Sequence, residues 1–253
     1  MRKSLPALIV MLSLSLNSFS QLNMQYNFIR PVGEQGDNIS SMHGLVLSFD
    51  VKIKNSPFYV TPELGLNLYG LKTLEQELPF HNGYVTKTDV NYTTSMNTYA
   101  IGLKFQPPTT RSFQPFLAIR AGALHYHSNM TIEDPEDPMG CRALEKRALV
   151  KDLTWMASGG AGFRLDGKAF SGKESRVAID FGAFYTHGGE ARYLKMSKSH
   201  DHNAVSSPKA DLYTVKFEHI PSGEMHEHAI GTVYNTATQL LEFRLGMHLK
   251  LGN

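Results

Sequence analysis

Two groups of side chains in this sequence have the types and spacing for chemistry. Six of the eleven histidines fall within 187–228: His187, His200, His202, His219, His226 and His228. Four of them form the pairs His200-Asp-His202 and His226-Glu-His228. In an extended chain residues two apart project to one side, so each pair can chelate zinc or copper. Residues 211–234 read as a hairpin with Ser222-Gly223 as a two-residue turn. That register sets His219 opposite His226, with His228 on the same face. The second group is His125-Tyr126-His127-Ser128-Asn129. Ser128 offers a nucleophile, His127 or His125 a base, and Glu133 or Glu136 a carboxylate to orient the base. The spacing works against this chemistry, because adjacent strand residues point to opposite faces and a nucleophile needs its base within hydrogen-bond reach. The acidic, proline-rich segment EDPEDPMG at 133–140 lacks the spacing of a calcium loop, and the single Cys141 excludes an intramolecular disulfide.

The elements that position these groups are strands. Arg2 and Lys3, an apolar run over 5–16 and small residues before Gln21 have the layout of a cleaved secretory signal, which assigns 1–20 to export. No later apolar run approaches 18 residues, and the net charge of +2 is scattered, which excludes a nucleic-acid surface. Eight segments alternate with a period of two. The last is typical: Leu241, Phe243, Leu245, Met247 and Leu249 alternate with Glu242, Arg244, Gly246, His248 and Lys250. Others centre on Met24, Leu47, Leu64, Ile101, Ile119, Ala157 and Phe181. No segment reads as an amphipathic helix. The connectors alternate short and long: 54–57, 106–114 and 166–175 are short, whereas 71–94, 127–152 and 187–238 are long. An all-β, eight-stranded antiparallel up-and-down transmembrane barrel predicts this asymmetry, with short periplasmic turns and long extracellular loops. The mature domain is then 21–253, with 211–234 projecting from its longest loop.

Glycine decides which face points inward. Gly65, Gly102, Gly122, Gly160, Gly162, Gly182 and Gly246 all share the polar face. In an eight-stranded barrel the interior barely holds its side chains, so small residues belong there. The apolar face therefore meets lipid, and aromatics near strand ends, Trp155 and Tyr185 among them, fit an interfacial belt. The reverse arrangement, a soluble lipocalin-like barrel binding an apolar ligand, is the competing fold. In the membrane arrangement Asp50, Lys52, Glu63, Lys104, Arg120, Arg164, Asp180, Glu242 and Arg244 form a lumen charge network. Lys52 is expected near Glu63, and Asp180 near Arg244. Buried charges persist only when paired, so the network reads as a structural plug and not a pore.

With the signal, eight alternating strands and loop asymmetry in place, the chain resembles the OmpA/OmpX-like outer-membrane β-barrels. Its "SFSQ" region is similar to that of Bacteroidetes-type, PorT-like members, although the chain ends Leu251-Gly252-Asn253 and not in an aromatic residue. The resemblance implies a cell outer-membrane location, both termini in the periplasm, and lipid or lipopolysaccharide around the wall. It also implies a non-enzymatic role through extracellular loops or as an accessory subunit among envelope partners, without a cofactor. Some eight-stranded barrels are lipid hydrolases of the PagL type, and the Ser128 segment resembles their His-x-Ser-Asn pattern with its spacing broken. That makes a lipid hydrolase the alternative expectation.

Overall fold

Alternation of large apolar with polar residues over long runs gives strands that must cover one face with lipid and the other with protein. The computed structural model describes residues 20–79, 85–109, 112–134, 137, 143–171, 175–196, 210–219 and 224–250. Residues 1–19 of the expected signal segment 1–20, His200, His202, Glu136, Cys141 and residues 220–223 lie outside these residues. In chain order the elements are β1 (Ser20–Pro31), α1 (Gly33–Asn38), β2 (Met42–Lys52), β3 (Phe58–Pro79), β4 (Val85–Phe105), β5 (Phe113–Glu133) and β6 (Ala143–Asp166). Then come α2 (Lys168–Ser171), β7 (Val177–Met196), β8 (Ala210–His219) and β9 (Glu224–Lys250). Among the described residues no helix is long and apolar enough to cross a membrane.

Each strand pairs antiparallel with its neighbour from β1 to β7, β7 pairs with β9, and β9 closes on β1. Leu22 faces Leu249 and Phe28 faces Phe243 across that closure. Eight strands thus form a ring with no free edge, the condition for crossing lipid as strands. The outward face carries Met24, Leu47, Leu66, Ile101, Ile119, Leu153, Phe243 and Met247, all exposed. Asp50, Glu63, Arg120, Arg164, Asp180, Glu242 and Arg244 are buried inside. A soluble barrel would have the opposite arrangement, so this is a transmembrane β-barrel.

The inward glycines are crowded, as an eight-stranded lumen requires. A Cβ on Gly162 would lie 2.4 Å from the Phe116 ring, and one on Gly160 would lie 2.3 Å from the Phe184 ring and from the Ala183 carbonyl. The adjacent Gly159 points outward, where a Cβ would meet nothing within 4 Å.

Strand continues into 71–79, 85–94, 127–133, 143–152 and 187–196, where the alternation predicts long loops. β3, β4, β5, β6 and β9 run 21 to 27 residues, about twice the 9–11 needed to span a bilayer. Above the apolar band the ring divides. Register shifts fall at Leu68/Gly70 in β3, Ser128/Asn129 between β5 and β6, and His187/Glu190 in β7. Such bulges increase local twist and end regular pairing. The last β6–β7 pair is Met156 with Gly188. Beyond it β3–β4–β5–β6 form one sheet and β7–β9–β8 a second. They face each other across a shared core of Val90, Tyr92, Met130, Ile132, Leu194, Ile230 and Val233. Among the described residues nothing pairs with the outer edge of β3 beyond Leu68, because β2 begins at Met42; the outer edge of β8 is likewise open.

Replacing Gly160 with Val should lower barrel stability by about 1–3 kcal/mol through overpacking. Gly159→Val should change it by less than about 0.5 kcal/mol. Urea midpoints of the two variants in detergent or lipid measure the difference.

Candidate functional site

β3, β5 and β9 bring Glu63, Arg120, Glu242 and Arg244 to one level. Arg120 Nη1 donates to Glu63 Oε1 at 2.7 Å, and Arg244 Nη1 donates to Glu63 Oε2 at 2.6 Å. Glu242 accepts from Arg244 Nη2 at 2.7 Å and from Arg120 Nη2 at 3.2 Å, and Thr186 also donates to it. The Phe184 ring lies between the two guanidiniums, 4.3 Å from Arg120 and 4.9 Å from Arg244. Nearer the short-turn rim, Arg164 grips Asp180 with two bonds of 2.7 Å and reaches Asp50 at 3.3 Å. Lys104 completes that group through Asp50.

Four carboxylates therefore meet four cations, and their formal charges cancel. The cavity between the two groups is only about 30 Å³, space for about two waters. At this level the lumen is packed with side chains.

Two expected pairings differ. Lys52 faces Tyr59 and stays exposed, while Glu63 faces Ser48. The reason is the tight turn after β2, where Ile53 N–H donates to the Phe58 carbonyl and Ser56 Oγ donates to the Ile53 carbonyl, which fixes the register. Asp180 faces Gly246, and Arg244 faces Gly182, so Asp180 pairs with Arg164 directly opposite on β6.

Above the charges the lumen is apolar and aromatic. Met42, Met96, Met156, Leu124, Tyr126 and Tyr193 pack there. The helix α1, which the sequence reading did not place, closes this layer. Gly33 turns into it at φ +61°, a left-handed conformation favouring glycine. Gln35 Nε2 then donates to Tyr126 Oη at 3.0 Å, and Asn38 Nδ2 donates to Tyr193 Oη at 3.1 Å. Both phenol oxygens act as acceptors in these bonds.

The histidine-rich hairpin has a different register from the expected one. His219 faces Glu224, Phe217 faces His226, and Val215 faces His228. In this register His219 and His226 are diagonal and not opposed, and the side chains of His219, His226 and His228 lie outside the described residues. Among the described residues no three His, Cys, Asp or Glu side chains gather in a metal-ligating group.

The wall itself separates the Ser128 group. Ser128 is buried on the inner side, whereas His125 and His127 stack on the outer side with ring centroids 5.2 Å apart. His127 Nε2 lies 2.8 Å from Ser95 Oγ on β4, a contact the local sequence gave no sign of. Glu133 accepts from Asn91, and among the described residues no carboxylate is hydrogen-bonded to either imidazole.

No protein-family model and no curated protein matches the chain. Among solved structures it is similar to Ail, the attachment invasion locus protein of Yersinia pestis. That match has 12% identity and a TM-score of 0.42, covering 93% of this chain and 99% of that one. It is similar to Neisserial surface protein A at 9% identity and TM-score 0.39, with 92% and 97% covered. For the outer membrane protease OmpT from Escherichia coli the values are 6%, 0.37, 93% and 97%. Likenesses this distant assign no residue a role.

Arg244→Met leaves Glu63 and Glu242 each short of a partner and should cost about 3–5 kcal/mol. Equilibrium unfolding should show it, with part of the loss recovered in Arg244→Met/Glu63→Gln. The unaltered barrel in a planar bilayer should give no steady conductance.

Proposed function

We propose that this is a non-catalytic outer-membrane surface protein that recognises a polypeptide through its projecting two-sheet extension. The single observation carrying this reading is that extension. Six strands continue past the apolar band into a sandwich with its own core, although crossing the membrane needs only half their length. In this reading the short-turn rim and both chain ends face the periplasm, and the sandwich stands outside the cell. The lumen below is packed with paired charges around a cavity of about 30 Å³. Among the described residues, no strand pairs with the outer edge of β3 along 71–75 or with that of β8 along 211–212. Edge strands of this kind accept an extended segment by adding a strand. The role is that of a binding module, and accessory membership of an envelope assembly is one form it can take.

Photo-crosslinking tests the reading. A reactive residue at Thr73 or Leu212 should capture a polypeptide from envelope extract or culture medium, and one at Ile101 on the lipid-facing wall should not. Removing 197–223 takes away β8 while Met196 and Gly231 remain paired partners. That variant should keep the gel shift of a folded barrel and lose capture. Equal capture at all three positions, or unchanged capture after the deletion, would sink the proposal.

A further inference from the structure

Lipid covers the whole outer wall, but the wall is not uniform. Where β1, β2, β3 and β9 face lipid, their side chains are large: Met24, Leu45, Leu47, Leu64, Leu66, Phe243 and Leu245. On β5, β6 and β7 the same band carries Ala121, Ala123, Ala157, Gly159, Ala161 and Ala183. The register sets these small residues side by side. Ala121 lies between Ile101 and Ala157, and Gly159 lies between Ile119 and Tyr185. The result is a trough of about 750 Å³ walled by Ile101, Leu103, Ile119 and Tyr185. Its floor is open at Gly159, where a Cβ would touch nothing.

Following the same strands toward the sandwich, the trough passes Tyr99, Ala123 and Trp155 and then turns polar. The next row is Asn97, His125 and Leu153, and the row after it Ser95, His127 and Lys151. The two imidazoles stack, and Ser95 fixes His127. Lys151 has no carboxylate partner among the described residues. The neighbouring Asp152 is held by the backbone N–H groups of Leu153 and Arg192. Across the seam on β7, Glu190 accepts from Asn235 at 3.4 Å.

We propose that this trough and its cationic rim are a binding site for one anionic, phosphate-bearing lipid of the outer leaflet. An acyl chain lies over Ala121, Ala157 and Gly159. The headgroup phosphate meets Lys151 and accepts hydrogen bonds from Asn97 and the His125–His127 pair. Charge complementarity selects this occupant over a second copy of the barrel. Two barrels in one membrane share the same orientation, so a two-fold contact through the trough would bring the Lys151 ammonium groups of both copies together. Like charges there would repel, whereas an amphiphile satisfies both parts of the site. The proposal rests on the membrane-barrel fold and not on the recognition role of the sandwich.

The test uses the full chain in a non-ionic detergent, titrated with phosphatidylglycerol or phosphatidylcholine of the same acyl chains. Native mass spectrometry counts the bound lipid. One phosphatidylglycerol should bind about fivefold more tightly than phosphatidylcholine, the effect of one basic group on an anionic lipid. Lys151→Gln with His125→Gln and His127→Gln should abolish that preference and keep apolar retention. Gly159→Phe, or Ala157→Leu if the first variant fails to fold, should lose both lipids while the gel shift of the folded barrel persists. Inorganic phosphate alone should not bind. Equal affinity for the two lipids, unchanged binding in the variants, or binding of free phosphate without lipid would overturn the site. So would a dimer in the unaltered protein that Gly159→Phe dissociates.

Discussion

A ring of eight strands encloses too little space for charged side chains and water together, and the rest of the molecule follows from that restriction. Every carboxylate placed inside has to meet a cation placed inside, because an unpaired charge in such surroundings costs several kcal/mol. Glu63 and Glu242 therefore share Arg120 and Arg244, Asp50 takes Lys104 and Arg164, and Asp180 takes Arg164. The glycines opposite Phe116 and Phe184 belong to the same constraint. They give the two rings room to lie beside the cations without pushing the strands apart.

Filling the lumen moves function elsewhere. A plugged barrel acts through its wall or its rims, and here both are shaped. Three bulges near the upper limit of the apolar band end the ring and release its strands into two sheets. Their position has a physical sense. Below that level an open sheet edge would expose backbone groups to lipid, and above it water can satisfy them. The helix α1 and the methionine–tyrosine layer separate the two regimes, so the sandwich stands on a closed floor.

Much of this was legible in the residues. The period of two, the glycines confined to one face and the alternating connector lengths together specify a closed membrane barrel with its charges inside. Those signals are local, and the inside–outside choice needs only the observation that crowding favours small residues. The strand ends were less legible. Residues 71–79 and 85–95 mix Lys72, Glu75, Lys87 and Asp89 with Leu74 and Val90, so they read as loop. Their apolar positions are few and spaced for a sandwich core, not for a lipid band. The hairpin at 211–234 was visible, but its register was not, because the turn around Pro221 admits more than one length.

The sequence by itself determined the alternation, and with it the barrel, the lipid-facing surface and the set of residues in the lumen. The tertiary structure decided who meets whom. Lys52 and Glu63 lie on neighbouring strands with the right charges, yet the turn at 53–57 sets them four residues out of register. Ser128 and His127 are adjacent in the chain and end on opposite sides of the wall, while Ser95, 32 residues from His127, comes within 2.8 Å of it. Strand pairing joins residues distant in sequence, and a shift of one or two residues exchanges every partner. That shift is set by turns and by ring closure, which no local pattern encodes.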